Sequence, residues 1–186
     1  YICNIKIYKL MSISLPNYIK KTIMILFFLG VVSCNEKVDK NGKYFIDRFE
    51  KQFYNSKPSD LDGLKKKYPY FFPKLFPENV WIDRLNDPIQ KEIFNEIQKE
   101  YESVKFLEIE LSDFFDKNTE LDKEFLNPKV ITVNTDVDYK NKIILADSIL
   151  LIGLDNYLGP SHPFYEGIPL YIKEDFTASN IMSDIA

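Results

Sequence analysis

Val130-Ile131-Thr132-Val133, Ile143-Ile144-Leu145-Ala146 and Ile149-Leu150-Leu151-Ile152-Gly153-Leu154 are short apolar runs crowded into residues 130–154. Runs of this length and branching read as strands, because a β-branched side chain is stiff in a helix and packs well on a pleated surface. Their near-continuous apolarity predicts burial on both faces, so helices must cover the sheet. The fold class expected is therefore α+β, mostly helical, with a small sheet of about three strands covered by helices.

The covering helices are legible upstream. Phe45, Phe49 and Phe53 recur every fourth residue with Arg48, Glu50 and Lys51 between them, the stripe of an amphipathic helix. Ser59 and Asp62 have capping-box spacing ahead of Leu61, Leu64 and Tyr68. The run Lys65-Lys66-Lys67 suits a helix C-terminus, or else anionic lipid headgroups. Prolines 69, 73 and 77 prevent residues 68–77 from continuing that helix. The segment carries too many rings for a bare linker and should pack against the domain. A helix follows from Glu78 through Trp81 and Leu85, and Asp87-Pro88 reads as N-cap and first position of the next, with Ile89, Ile93, Ile97 and Tyr101 on one side. Another starts near Ser103 with Val104, Leu107, Leu111, Phe114 and Phe115 inward. Past the strands, residues 157–163 form a loop, residues 168–176 a short helical stretch, and Ser179 a cap for a helix that has no room before Ala186.

Of 186 residues, 45% are apolar and 15% aromatic, enough for one cored domain. The net charge of −4 is uneven: residues 1–34 hold four Lys and no acid, so the remainder has 20 basic and 28 acidic residues. An acidic chain without a Lys/Arg stripe is not a nucleic-acid binder, which must displace counterions from phosphate.

The N-terminus reads as an export signal. Met11 is the first plausible start, leaving residues 1–10 as upstream sequence. Lys20-Lys21 precedes an uncharged core, Ile23-Met24-Ile25-Leu26-Phe27-Phe28-Leu29-Gly30, and then Val31-Val32-Ser33-Cys34. About ten apolar residues make a helix of roughly 15 Å, half of what a bilayer span needs. Val31, Val32 and Ser33 form a lipobox, and Cys34 is the thiol that would be alkylated by diacylglycerol before cleavage. Residues 11–33 are then a lipoprotein signal peptide and 34–42 a lipidated Cys with a flexible polar tether. Two or three acyl chains, at roughly 0.8 kcal/mol per buried methylene, make a lasting attachment. The other cysteine, Cys3, precedes the cleavage point, so the exported part has no internal disulfide and no cysteine-held zinc.

A resemblance can be placed on particular residues. Thr135-Asp136-Val137-Asp138-Tyr139, the stretch Ala146-Asp147-Ser148-Ile149-Leu150-Leu151-Ile152-Gly153-Leu154-Asp155-Asn156-Tyr157-Leu158-Gly159, and Phe164-Tyr165-Glu166-Gly167-Ile168-Pro169 resemble the gliding-motility lipoprotein B (GldB) family of Bacteroidetes. Arg48-Phe49-Glu50, Lys66-Lys67-Tyr68-Pro69 and Phe71-Phe72-Pro73 fit as well. The resemblance implies a cell-envelope lipoprotein tied to gliding motility, and a family chain longer than this one, so that residues 43–186 would be a domain truncated at its C-terminus. More weakly, the strand followed by Leu-Asp and Tyr-Leu-Gly is similar to a zincin-like metallopeptidase family, whose metal-binding helix would lie beyond Ala186.

Residues able to carry chemistry are few. A zincin needs two His one helical turn apart and a Glu, and this chain has one His. His162, between Ser161 and Pro163, is a solvated turn residue or, as a weak candidate, a metal ligand. Asp136 and Asp138 terminate a strand or, equally weakly, face one Ca²⁺ or Mg²⁺. Asp147 and Asp155 bracket the third strand and suit turn capping or pairing with Lys better than acid/base work. There is no phosphate loop, nucleophile elbow or Cys-His pair.

The expectation is a lipid-anchored envelope protein of inner or outer membrane. It would have no catalytic residues and no cofactor, and would serve gliding and the associated secretion machinery structurally or through protein contacts. Alternatives are a metallopeptidase relative whose ligands lie elsewhere, and a glycan or peptidoglycan binder using residues 68–76.

Overall fold

The computed structural model describes residues 44–186. The lipobox, Cys34 and the tether lie outside them. Among the described residues are a four-stranded mixed sheet and seven α-helices. In chain order these are β1 (Asp47–Arg48), α1 (Phe49–Tyr54), α2 (Leu61–Lys67), α3 (Glu78–Asn86), α4 (Pro88–Glu100), α5 (Lys105–Leu121), β2 (Lys129–Val133), β3 (Ile143–Ala146), β4 (Ile149–Gly153), α6 (Leu170–Lys173) and α7 (Ile181–Ile185).

The strand order is β1-β2-β4-β3. β1, β2 and β4 are parallel, with Asp47 beside Ile131 and Ile131 beside Leu151. β3 closes the sheet antiparallel to β4, with Ala146 beside Ile149 across a turn of Asp147 and Ser148. Asp147 enters that turn at φ 51°, a left-handed conformation that a short polar side chain tolerates.

Strand alternation divides the core. Val130, Leu150 and Ile152 pack with Ile93, Ile97 and Tyr101 of α4 and its cap, with Leu107, Leu111 and Phe115 of α5, and with Ile181 of α7. A second cluster joins Phe53 of α1, Leu61 and Leu64 of α2, Tyr68, Phe72 and Leu85 of α3. Val133, Ile144 and Leu151 face residues of α1 and α3 across a cleft. Burial of a large apolar side chain contributes about 1.5–3 kcal/mol, and these two layers hold most of the fully buried rings.

The helices start where local chemistry predicts in one clear case. The Asp87 carboxylate accepts from the backbone N–H of Ile89 at 2.7 Å and of Gln90 at 3.3 Å, capping α4. Ile93, Ile97 and Tyr101 are buried as the periodicity requires, whereas Ile89 is exposed. At α2 the capping partner differs from expectation: Asp60, not Asp62, accepts from the backbone N–H of Lys57, because a 3₁₀ turn over Pro58–Asp60 precedes the helix.

Three further expectations are corrected. The Phe45-Phe49-Phe53 stripe is not one helix, because Asp47 and Arg48 pair with β2 and leave Phe45 outside α1, 79% exposed. The sheet thus has a fourth strand. β3 is not buried on both faces: it is an edge, with Leu145 67% exposed, since none of the described helices closes over it. Finally, α7 does form before Ala186, led by a 3₁₀ turn over Ala178–Asn180, with no side-chain cap from Ser179. Ile181 is fully buried and Asp184 accepts from the Tyr157 hydroxyl at 2.7 Å, so tertiary packing holds a helix too short to persist alone.

Candidate functional site

The parallel strands β1 and β2 end at Arg48 and Val133, and the residues just past them, Phe49, Glu50, Asn134 and Thr135, open a cleft of about 220 Å³. Sheets with parallel strands place their binding crevices outside the carboxyl ends, where the connections diverge. Phe49 and Phe53 of α1, Phe71, Trp81 of α3, Val133, Ile144 and Leu151 give the cleft apolar walls. Its volume is below the roughly 300–1,000 Å³ of pockets that enclose a drug-sized ligand. It suits one large side chain.

Glu50 is fully buried at this end of the sheet. One carboxylate oxygen pairs with the Arg48 guanidinium, and the other accepts from the Thr132 hydroxyl at 2.7 Å. Arg48 also donates to the Tyr101 carbonyl at 2.9 Å, tying β1 to the end of α4. A buried charge held in this way is a structural clamp, because both oxygens are already satisfied.

Arg84 forms a two-pronged pair with Asp136, at 2.9 and 2.7 Å. This fork joins α3 to the loop after β2. Beside it the Tyr54 hydroxyl donates to Gln90 at 2.7 Å, and the Asn134 amide donates to Tyr54 and Gln90 at 3.3 Å. Burial pushes the Tyr54 phenol up to about 12, so it remains a neutral donor at physiological pH. None of the lining residues is His or Cys. The cleft presents rings and polar groups already hydrogen-bonded to one another.

The loop beyond β2 is shaped by a second buried carboxylate. Asp155 is fully buried and accepts from the Thr135 backbone at 3.0 Å, the Thr135 hydroxyl at 3.0 Å and the Val137 backbone at 2.6 Å. Burial pushes its carboxyl up, while the hydrogen bonds from Val137 and Thr135 pull the other way. These bonds hold Asp136 and Val137 at φ 63° and 60°. Such a conformation is strained for a β-branched residue and needs surrounding contacts to persist. Asn156 adds a bond to the Thr135 hydroxyl at 2.8 Å, and the Tyr165 hydroxyl donates to the Asp155 carbonyl at 2.7 Å. The Thr135–Tyr139 and Ala146–Gly159 sequences are thereby one interlocked unit, whose latch presents Asp136 to Arg84.

The weak metal candidates are placed apart in function. Asp136 is occupied by Arg84, and Asp138 accepts from the Lys140 backbone at 3.3 Å and the Asn141 amide at 2.8 Å. His162 Nδ1 accepts from the Phe164 backbone at 3.3 Å, and Nε2 lies 3.5 Å from Glu96. Among the described residues no three His, Cys, Asp or Glu side chains stand together as a metal set. In the aromatic segment, Tyr68 and Phe72 are buried, while Tyr70 and Phe76 are exposed. The sequence reading missed the roles of Glu50, Arg84 and Asn134. They are distant in sequence, and the only local trace of them is Arg48-Phe49-Glu50.

The described residues thus form an α+β domain with a small aromatic cleft, and no helix among them is long and apolar enough to cross a membrane. Residues 33–186 match the family model described as gliding motility protein GldB, and the chain belongs to that lipoprotein family. Its function accordingly lies in gliding motility and its setting in the cell envelope. No curated protein and no solved structure matches it.

Proposed function

We propose that the protein is a lipid-anchored component of the gliding apparatus and its associated secretion machinery, tethered through Cys34 and acting by protein contact without catalysis. The family match carries this reading, since it begins at Ser33, one residue before the candidate lipidated cysteine. Val31, Val32 and Ser33 supply the lipobox that processing requires. The cleft supplies the contact: it takes one apolar side chain of an envelope protein. Ile144 at its mouth belongs to the edge strand β3, along which the partner's backbone can run.

The anchor is tested by intact mass and detergent partitioning of the protein from its host. The native chain should lack residues 11–33 and carry about two or three acyl chains, and Cys34→Ser should lose both the acyl mass and the detergent phase. An unacylated native chain would refute the anchor. The contact is tested with Ile144→Glu, which charges a half-exposed position. Normal protein level and normal acylation with impaired gliding are expected, and unimpaired gliding would remove the cleft from the contact.

A further inference from the structure

Phe45 is exposed at the start of the described chain, immediately before β1. Eleven peptide units separate it from Cys34 by sequence and two more lead to Asp47, so the chain allows the amino end of β1 to lie at most about 45 Å from an acylated Cys34. At that amino end Asp47 accepts from the Tyr68 hydroxyl at 2.6 Å and pairs with Lys129, at the amino end of β2, at 3.2 Å. Lys67 stands over the same Tyr68 ring at 4.9 Å, and Lys129 at 5.5 Å. The stretch that runs on from Tyr68 exposes Tyr70, Lys74, Leu75 and Phe76, with Leu75 at 86%. The last turn of α2 adds exposed Lys66.

Exposed rings and leucine interleaved with lysines are the composition of a membrane-interface surface, where ammonium groups meet phosphates and amphipathic rings sit at headgroup level. The same chemistry stands where the tether enters the domain. The cleft opens at the carboxyl ends of the strands, and its walls Phe71 and Trp81 adjoin this surface through Tyr70 at 4.8 Å and Phe76 at 6.1 Å. We propose that the surface formed by Lys66, Lys67, Tyr70, Lys74, Leu75 and Phe76 rests on anionic phospholipid headgroups, with Leu145 of β3, which shares the sheet face of Leu150, turned away from the bilayer. This orientation rests on the lipid anchoring proposed above. It makes the domain a docked platform instead of a freely swinging one. Each lysine at such a surface is worth about a fivefold preference for acidic over neutral lipid. The carboxylates Asp62 and Glu78 border the surface and share Lys65, at 3.9 and 2.5 Å, so the net attraction is that of Lys66, Lys67 and Lys74 less one carboxylate.

The test uses the full acylated chain reconstituted into vesicles. A fluorophore is placed on Leu75→Cys or, as control, on Leu145→Cys in β3, and the vesicles carry a headgroup-attached quencher. In phosphatidylethanolamine vesicles containing phosphatidylglycerol, position 75 should be quenched severalfold more than position 145. The difference should shrink in phosphatidylcholine, at high salt, or in the Lys66→Glu/Lys74→Glu variant, with flotation unchanged. Equal quenching at both positions in protein that still floats overturns the orientation and leaves the anchor standing. Protein that carries no acyl mass and does not float overturns the anchor, and the orientation with it.

Discussion

Truncating Asp155 would leave the Thr135 and Val137 N–H groups and the Thr135 hydroxyl without their acceptor in a loop held at positive φ. An unsatisfied buried donor costs about 1–3 kcal/mol. The variant also escapes the cost of burying a carboxyl, so Asp155→Ala is expected to lose about 3 kcal/mol in a urea titration. An unchanged midpoint would show that the loop keeps its shape by other means. Gly153 makes the same unit intolerant of a methyl group: a Cβ there would stand 2.7 Å from Thr135 Cγ2 and 2.9 Å from Asn156 Nδ2. Gly153→Ala should cost about 1–3 kcal/mol through overpacking. Thr135→Ser, which removes that Cγ2, should recover part of it in a double-mutant cycle. At the other end of the sheet, burial raises the Asp47 carboxyl, but the hydrogen bonds of Tyr68, Lys129 and Gln52 and the charge of Lys67 outweigh it, and the group sits below its ordinary value. A depressed folded pKa contributes stability above the unfolded value, about 3.9, that is lost as pH falls through the folded one. The stability difference between the native chain and Asp47→Asn should therefore be largest near neutrality and close on acidification below that value. A difference that grew in acid would contradict the pairing.

At the scale of elements, α7 is held by the buried Ile181, by Met182 and Ile185 packed beside it, and by Asp184, which meets the Tyr157 hydroxyl and pairs with Lys142 at 2.6 Å; Ile181→Ala should cost about 2–5 kcal/mol and loosen the Tyr157–Asp184 contact. Protease susceptibility after residue 177 would report it, and resistance equal to that of the native chain would mean the helix is held from elsewhere. α7 also marks a limit of sequence reading, since five residues carry no periodicity and the contacts that hold the helix are made with residues far away in the chain. The long helices α4 and α5 were legible because their apolar stripes repeat over several turns. The β2 and β4 strands were legible because β-branched runs have few other uses. β1 was not, because Asp47 and Arg48 have no strand character and become one only by pairing with Ile131 and Thr132. The apolarity of β3 was read correctly and its burial wrongly, because a run of hydrophobic residues does not reveal whether a layer will reach over it. The cleft was invisible for a related reason: Glu50, Arg84 and Asn134 come from three elements, and no local spacing relates them.

At the scale of the whole described domain, the two hydrophobic clusters raise the question of whether they melt together. One contains α4, α5 and α7, which dominate the helical signal; the other contains α1 to α3 and is bordered by Trp81, the chain's single tryptophan. They are joined by more than apposition. Arg48 binds Glu50 on one side and the Tyr101 carbonyl on the other, Glu50 reaches Thr132 in β2, and Tyr54 of α1 reaches Gln90 of α4. Losing either layer would break the Arg48–Tyr101, Glu50–Thr132 or Tyr54–Gln90 bonds, at about 1–3 kcal/mol for each buried group left unsatisfied. Together these are comparable with the total stability of a domain, about 5–15 kcal/mol, so partial unfolding should not be populated. Trp81 fluorescence and far-ultraviolet ellipticity are expected to trace one coincident transition in urea. If the fluorescence transition came first, the layer around α1 to α3 would be a separate unit, and the bonds from Arg48, Glu50 and Tyr54 to Tyr101, Thr132 and Gln90 would carry little weight as the joint between the two halves of the core.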